Sequence, residues 1–499
     1  MLQRLLLGIV PILLGSCAQI GILTGGEKDV TAPQLVGSFP SMGATQVYPE
    51  LIQLQFDEFI ELNNPIQNIR LEPSDATIKT TLKNRTVLIA LNGDLNPNTT
   101  YSLYIDGGVK DVSEGNDSVY KYVFSTGKTL DSARQTYRLG DAYTKKSLEG
   151  VTIGLYASDS SQKPRYITKS NEAGWASLDY LPLDSFFVKA FVDANKNGLI
   201  DANEQQYNGF KPIVPSNDSL AFLLSTPRDV GRLHSFKIAP PSLLVGHLPQ
   251  EIALTDVRVN GQQPEMYRVG RDSVVINIKA FEPGSLVVSC SLDTVYIPFS
   301  AKEKSAILKP QILPAQIQAP IDLTFNAFLP MDFNKNWVSI MRQDSSTVLI
   351  DRISVENNTL HIYPAQWGSG KFKLIMNANA LQNAVGLPVN SSGIEYMGVG
   401  QTELGTLIVN LVKPKNRQVL VLEKDGKSIR SMPLKETLTQ VKFDHLVPGE
   451  YQLAIIADEN GNGYWDPIQP VDKTEAEAVI RYTKIPKVRA NWDVEVNLE

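Results

Sequence analysis

The sequence has 499 residues, a net charge of −6 and two cysteines. A chain of this length predicts several domains rather than one. Its acidic balance and the lack of a long basic run argue against nucleic acid as a partner. No run of about 18 apolar residues occurs anywhere in the sequence, so we predict no transmembrane helix.

The first residues have the pattern of a bacterial lipoprotein signal peptide. The apolar run from Leu5 to Leu14 is too short to cross a hydrocarbon core of ~30 Å as a helix. It ends in Leu14-Gly15-Ser16-Cys17, which resembles the lipobox that lipoprotein signal peptidase cleaves. The resemblance implies removal of residues 1–16 and a diacylglyceryl thioether on Cys17. The alternative is an ordinary secretory peptide that precedes a chance cysteine.

Lipid on Cys17 would change how the next segments are interpreted. Several acyl chains on one residue hold a protein to a membrane stably, whereas one chain does so only marginally. Residues 17–32 are rich in glycine and predict a flexible tether. With Cys17 acylated, no intramolecular disulfide is available, and we expect Cys290 to be a small apolar residue of a strand.

The rest of the chain has the alternation of β-strands. Ile52, Leu54 and Phe56 alternate with polar residues, and Gly, Pro and Asn turn signals recur every 8–12 residues. This pattern is typical of antiparallel sandwiches. We therefore predict an all-β protein in which several antiparallel β-sandwiches follow one another.

Two internal matches predict a duplication. Residues 176–193 align without a gap to residues 441–458, and residues 52–60 align more faintly to residues 321–329. The two matches have nearly the same offset, which favours one duplicated two-domain block. The predicted units are residues 33–127, 128–230, 231–305, 306–400 and 401–499, and the third is a middle β unit outside the duplication.

The most specific motif is a 12-residue loop with the ligand spacing of an EF-hand. Ca²⁺ prefers six to eight oxygen ligands, which alternate residues of a curled loop supply around a glycine at position six. The flanking segment reads as a strand, so the loop would lie between strands rather than helices. The predicted ligands of Ca²⁺, the candidate cofactor, are Asp193, Asn195, Asn197, Leu199 through its carbonyl, Asp201 and Glu204.

The second copy of this loop predicts a weaker calcium site. It has Gln469 where the first copy has Glu204, so it lacks the bidentate carboxylate. The alternative for both copies is structural, because Asp and Asn form turns between strands without any metal. The corresponding ligands are Asp458, Asn460, Asn462, Tyr464 and Asp466.

Other chemically suggestive residues favour structural roles. Asp57 and Glu58 follow a strand and are interpreted as a solvated turn rather than an acid/base pair. The alternation around Trp492 predicts a core side chain. The four histidines lack metal-ligand spacing, and no P-loop, nucleophile elbow or zinc-protease helix motif occurs, so we predict no enzymatic activity. These histidines are His234, His247, His361 and His445.

Residues 17–127 resemble the N-terminal region of a large group of Bacteroidota-type lipoproteins with an SbsA-type bacterial Ig-like domain. The residues 128–230 are similar to the transthyretin-like or carboxypeptidase-regulatory sandwich, as is the duplicated unit at the C-terminus. The resemblance implies the outer membrane and no catalytic residues. It rests on Cys17-Ala18, Thr24-Gly25-Gly26, Lys28-Asp29, Pro33, Phe39-Pro40, Gly43-Ala44, Phe56-Asp57-Glu58, the stretch from Asp458 to Asp466, and Val488 to Asp493.

Three functions are compatible with these features. The favoured one is a non-catalytic binding or structural lipoprotein of the cell envelope. The second is an accessory subunit of an outer-membrane assembly or export machine, with a membrane protein as partner. The third is a polysaccharide-active enzyme with Ig-like accessory domains, although no segment is left for a catalytic domain. The lack of acidic residues directly after Cys17 favours the periplasmic face over the cell surface.

Overall fold

A computed structural model describes residues 30–228, 232–312, 316–317, 320–366, 368–390 and 393–498, without the side chains of residues 316–317. The predicted lipidation site Cys17 and most of the tether lie outside these residues. The prediction of an all-β chain is confirmed, because the described strands form ten small sheets that are almost entirely antiparallel. None of the helices in the described ranges has the length and apolarity needed to cross a bilayer.

The first unit is a sandwich of two four-stranded sheets. In β2 the apolar side chains are buried and the glutamines between them are exposed, as the period of two predicts. Its sheets have the order β1-β2-β6-β5 and β3-β7-β4, with β8 also paired to β7. The elements are β1 Leu35–Phe39, β2 Leu51–Phe56, β3 Ile60–Leu62, α1 Pro65–Asn68, β4 Ile69–Glu72, β5 Thr77–Lys83, β6 Thr86–Asn92, β7 Thr100–Asp111 and β8 Asp117–Ser125.

The second unit packs a four-stranded sheet on a three-stranded one. The orders are β11-β10-β13-β14 and β12-β9-β15, and β15 runs parallel to β9. Between the sheets lies a core that includes Tyr137, Leu178 and Phe186. The strands are β9 Ala133–Asp141, β10 Thr152–Tyr156, β11 Tyr166–Lys169, β12 Trp175–Leu181, β13 Phe187–Phe191, β14 Gln206–Asn208 and β15 Ser219–Leu224.

The middle unit is also a small sandwich, with sheets β16-β17-β20-β19 and β18-β21-β22. Cys290 packs against the core of this unit, as expected for a small apolar residue, but it directly follows β21 and is not part of the strand as predicted. The elements are β16 His234–Ala239, β17 Leu243–His247, the 3₁₀ turn Leu254–Asp256, β18 Arg258–Val259, β19 Met266–Val269, β20 Ser273–Asn277, β21 Gly284–Ser289, β22 Thr294–Phe299 and α2 Ala301–Lys304.

The fourth unit repeats the first. Its sheet β23-β25-β29-β28 has the order of β1-β2-β6-β5, and Phe325 is fully buried as Phe56 is. The facing sheet is β24-β31-β30-β26-β27. The elements are β23 Gln311–Ile312, β24 Gln316–Ile317, β25 Ile321–Thr324, the 3₁₀ turn Lys335–Trp337, β26 Val338–Arg342, β27 Thr347–Val348, β28 Ile350–Glu356, β29 Thr359–Pro364, β30 Gly370–Met376, α3 Ala378–Val385 and β31 Ile394–Gly398.

The fifth unit repeats the second, with sheets β34-β33-β36-β37 and β35-β32-β38 and the same parallel pair, here β32 with β38. The aligned residues Tyr180 and His445 even share a left-handed φ, 57° and 53°. The elements are the 3₁₀ turn Gln401–Glu403, β32 Gly405–Leu411, β33 Gln418–Lys424, β34 Lys427–Leu434, β35 Gln440–Leu446, β36 Gln452–Ala457, β37 Val479–Tyr482 and β38 Asp493–Leu498.

The prediction that Trp492 lies in the core is wrong. Its side chain is 62% exposed, and the Arg489 guanidinium lies 5.8 Å from the ring centroid. The reason is that β38 begins one residue later, so the tryptophan precedes the strand instead of taking part in its alternation.

The five units do not form a simple string, because the fifth unit contacts both the second and the middle unit. Tyr143 of the second unit packs at a tilt against Trp465 of the fifth, with ring centroids 5.0 Å apart. The backbone amide of Ile468 donates to Ser225 Oγ at 2.9 Å, and Lys473 pairs with Asp159 at 2.8 Å. The C-terminal unit therefore packs against two units that precede it in sequence, the second and the middle unit.

Candidate functional site

The two Asp/Asn loops occupy the same place in the duplicated sandwiches. The first joins β13 to β14, and the second joins β36 to β37. Both follow a buried strand of the four-stranded sheet, and both turn through glycines with a left-handed backbone, at Gly198 (φ 74°) and Gly463 (φ 82°). Only glycine adopts such a φ without steric cost, which explains why this position carries glycine in both copies.

The first loop is held by hydrogen bonds from its own backbone. The carboxylate of Asp193 accepts the amide protons of Asn197 and Gly198, each at 3.0 Å. Asn195 and Asn197 donate their side-chain amides to Asp201 Oδ2 at 2.6 and 3.0 Å. The polar side chains of the loop therefore bond to groups of the same turn, as in Asx turns.

The Glu204 side chain connects the start of this loop to its end. Its side chain is 5% exposed and accepts the amide protons of Ala194 at 2.9 Å and Asp201 at 3.2 Å. The sequence-predicted ligands thus lie together around one turn, but the side chain of Leu199 points to solvent and is 50% exposed. No group of three or more His, Cys, Asp or Glu arranged to hold a metal is present among the described residues, and the calcium site stays a prediction.

The second loop repeats these bonds atom for atom. Asp458 accepts the amide protons of Asn462 and Gly463, both at 2.9 Å. Asn460 and Asn462 each donate to Asp466 Oδ2 at 2.7 Å. The same predicted calcium-ligand positions are therefore used for the same internal contacts in both copies.

The structural counterpart of Glu204 is Glu477, not Gln469 as the gapless alignment indicated. Glu477 Oε1 accepts the amide proton of Glu459 and Oε2 accepts that of Asp466, both at 2.9 Å. It lies eleven residues after Asp466, whereas Glu204 lies three residues after Asp201. The second copy carries an extra turn between these positions, and for that reason spacing alone did not find the equivalence.

The two loops differ in what faces them. In the second loop, Arg271 donates to both the Asp466 carboxylate and the backbone carbonyl of Trp465. Arg228 pairs with the same carboxylate oxygen at 3.3 Å, and Asn462 reaches Gln250 of the middle unit at 3.4 Å. The second loop therefore forms an intramolecular contact. Oδ1 of Asp466, the carboxylate oxygen that the asparagines do not use, binds two guanidinium groups.

A second charged cluster fixes the fifth unit to the second. The Glu423 carboxylate, 2% exposed, pairs with Arg481 at 2.5 Å and accepts the phenolic proton of Tyr143 at 2.5 Å. Burial raises the pKa of Tyr143 well above its usual value, and the Glu423 carboxylate raises it further. The phenol therefore stays protonated and acts as the hydrogen-bond donor across this interface.

The first unit is tied to the second by a similar arrangement. The carboxylate of Glu72, a residue that is 2% exposed, accepts hydrogen bonds from Arg70 Nε and from the Ile167 amide, each at 3.0 Å. Burial raises the pKa of the Glu72 carboxyl, and Arg70 opposes that rise. Arg165 pairs with Asp75 at 3.1 Å in the same contact.

The remaining sequence candidates lie apart from these contacts. Asp57 accepts the Gln34 amide proton at 2.7 Å, which fits the predicted turn. His361 lies 2.7 Å from Asp322, and the rings of His234 and His247 stack with centroids 4.1 Å apart. Sequence reasoning missed Arg228 and Arg271, since no local pattern marks a residue whose partner lies about 200 positions away in sequence.

The Glu477 carboxyl makes the stability of the second loop depend on pH. Burial raises its pKa from the usual 4.5 to about 7, the backbone amide of Glu459 and the charge of Arg271 oppose the rise, and the charges of Asp458 and Glu459 add to it. The folded chain therefore binds this proton more tightly than the unfolded chain does. Its stabilising effect is complete below pH 4.5 and is lost as the pH rises through 7.

We expect the stability advantage of the native chain over Glu477→Gln to shrink between pH 5 and pH 8, because the glutamine cannot ionise. Urea unfolding of both proteins at pH 5, 6, 7 and 8 measures this difference. Two curves that stay parallel over the whole range would show that Glu477 does not titrate there.

Comparison with known proteins identifies one domain family. Residues 29–126 match the bacterial Ig-like domain family. None of the curated proteins matches the chain significantly. Among solved structures, the N-terminal part of the bacterial S-layer protein SbsC is similar at 12% identity and a TM-score of 0.16, over 33% of this chain and 41% of that one.

A second solved structure, the Bacillus anthracis TIE protein, is similar at 10% identity and a TM-score of 0.14, over 95% of this chain and 76% of that one. Scores this low carry no functional information, and the present chain spans about two fifths of the SbsC fragment it matches. Residues 29–126 thus form a bacterial Ig-like domain at the start of a multidomain β-sandwich protein.

Proposed function

We propose that this chain is a non-catalytic scaffold of the bacterial cell envelope, anchored to the outer membrane by lipid on Cys17. The observation that carries the proposal is the bacterial Ig-like domain at residues 29–126, which is separated from the lipobox-like sequence by only a short glycine-rich segment. The proposal includes the kinship with Bacteroidota-type lipoproteins and the transthyretin-like character of the duplicated sandwiches.

The contacts between units support a scaffold. Charged and aromatic residues link the first unit to the second, the second to the fifth and the middle to the fifth. The middle and fourth units are also joined, since Lys279 donates to the Val385 carbonyl at 2.5 Å and Tyr267 packs on Phe328 at 5.7 Å. Such contacts hold the units in one arrangement, as expected of a protein that presents surfaces at fixed positions.

The anchor would hold one end of this arrangement at the membrane. Two or three acyl chains on Cys17 give lasting attachment, and the glycine-rich segment up to residue 32 sets the distance of the first domain. The uncharged residues after Cys17 favour the periplasmic face.

The lipid anchor is tested by metabolic labelling with a palmitate analogue in cells that express the chain. We expect label on the native protein and none on Cys17→Ser, because the thioether and the signal cleavage both need that thiol. Cys290→Ser is the matched control, since it removes the other cysteine and should keep the label. Label that persists in Cys17→Ser would contradict the anchor.

Purification from membranes in mild detergent then tests the scaffold against a dedicated machine subunit. We expect the chain to be extracted without a stoichiometric integral membrane partner. A membrane protein that copurifies in a fixed ratio would instead favour an accessory subunit of an outer-membrane machine.

A further inference from the structure

The two Asp/Asn loops have the same internal hydrogen bonds but different surroundings. In both copies, Oδ2 of the last aspartate accepts the side-chain amides of two asparagines. This leaves Oδ1 of Asp466 for Arg228 and Arg271. The second loop therefore shows which ligand the preformed turn accepts: a guanidinium group.

The contact in the second loop has the fork geometry that arginine favours. Arg271 donates one nitrogen to the Asp466 carboxylate and another to the Trp465 carbonyl, while its guanidinium lies 5.9 Å from the centroid of the Tyr464 ring. A planar guanidinium satisfies two adjacent acceptors at once, whereas an ammonium behaves as a point charge. We therefore expect a turn of this kind to favour arginine over lysine.

Ile200 and Asp201, which carry the equivalent acceptors of the first loop, are half-buried at the end of an exposed segment. Asp201 corresponds to Asp466 and Ile200 to Trp465 in the aligned repeat. Within the described part of the chain, no lysine, arginine or histidine forms an ion pair with Asp201, and loop residues 194–199 are all exposed. Leu199 replaces Tyr464 and leaves an apolar side chain, 50% exposed, beside the acceptors.

We propose that the loop Asp193–Glu204, whose residues 194–199 are exposed, is a docking site for an arginine side chain of a partner protein, held by the Asp201 carboxylate and the Ile200 carbonyl. The site would bind a partner in the way that the second loop binds the middle unit. This inference deepens the proposed scaffold function, because it names the chemistry by which the scaffold recognises a partner. It does not depend on the lipid anchor.

The experiment titrates the full chain with L-argininamide, and with L-lysinamide as the matched probe. The readout is the ¹⁵N–¹H signal of the Leu199 amide, which donates to Asn197 Oδ1 at 2.7 Å inside the loop. Leucine-selective labelling and the variant Leu199→Val assign that signal. We expect saturable shifts with a Kd on the order of 1–10 mM for argininamide, as for one charge-assisted fork contact, and about tenfold weaker binding of lysinamide.

Two variants separate the site from the fold. Asp201→Asn keeps the shape of the side chain and should abolish the response of Leu199. Asp466→Asn makes the same change in the second loop and should leave that response unchanged. Unchanged positions of the leucine signals outside the loop show that each variant is folded.

Three outcomes would overturn the proposal. They are no saturable shift with argininamide, equal binding of lysinamide, and a response that survives in Asp201→Asn. Ca²⁺ is titrated into the same sample, and a saturable calcium response that argininamide does not compete with would also overturn it and assign the loop to calcium. All of these are independent of the palmitate-labelling result, so failure of the docking site and failure of the anchored scaffold are distinguishable.

Discussion

Replacing Arg481 by methionine is expected to destabilise the C-terminal unit by about 3–5 kcal/mol, the usual cost of leaving a buried charge unpaired. The Glu423 carboxylate is 2% exposed and relies on Arg481 and Tyr143 for its polar contacts. In the variant, it must either stay charged without its ion pair or take up a proton. Either outcome raises the free energy of the folded chain but not that of the unfolded chain, so the stability falls.

Urea unfolding followed by tryptophan fluorescence measures the loss, because Trp465 lies at this interface against Tyr143. The matched control is Arg430→Met. Its partner Asp444 is 55% exposed at the side chain, so we expect a change of less than about 1 kcal/mol. The double variant Glu423→Leu/Arg481→Met should recover most of the stability, since an apolar pair replaces a buried ion pair at little cost.

A loss for Arg481→Met no larger than that for Arg430→Met would mean that the ion pair does not stabilise the contact. Tyr143→Phe provides an intermediate case. It removes one hydrogen bond and leaves the ion pair intact, so about 1–2 kcal/mol is expected.

The second large effect is expected for Asp466→Asn. The substitution keeps the size of the side chain but removes the charge through which the fifth unit binds Arg228 of the second unit and Arg271 of the middle unit. We expect a loss of about 2–4 kcal/mol, because two guanidinium groups with little exposure are left without their carboxylate. Faster hydrogen exchange across residues 458–469 and 248–252 should accompany the loss.

The first loop supplies the control for this prediction. Asp201→Asn removes the same internal contacts with two asparagines, but no arginine of the described chain is paired there, so we expect a change below about 1 kcal/mol. A double-mutant cycle of Asp466→Asn with Arg271→Gln should give a coupling of about 1–3 kcal/mol. Equal losses for the two aspartates would show that the turns, not the arginines, account for the effect.

Much of the fold follows from local pattern. The alternation of Ile52, Leu54 and Phe56 predicted a strand with one buried face, and it is β2 of the first sheet. The aligned repeat predicted that the second and fifth units share their fold, and their sheets have the same order with the same parallel pair. These features are determined locally, because side-chain periodicity and turn residues act over a few positions.

Two predictions from local pattern were wrong, and each has a physical reason. The start of β38 was placed one residue too early, and Trp492, which precedes the strand, lies at the surface instead of in the core. Gln469 was paired with Glu204 because a gapless alignment cannot see that a longer turn brings Glu477 to the same place. In both cases the position of the side chain depends on how the chain folds in three dimensions, not on the spacing of residues along the sequence.

The sequence by itself determined the strands and the two Asp/Asn turns, since each depends on residues close together in the chain. Only the tertiary structure decided that the second turn is buried against Arg228 and Arg271 while the first faces solvent. The physical reason is that the pairing of a carboxylate depends on which charged groups packing brings within about 4 Å. Two loops with nearly the same residues therefore have different surroundings, because one docks on the middle unit and the other does not.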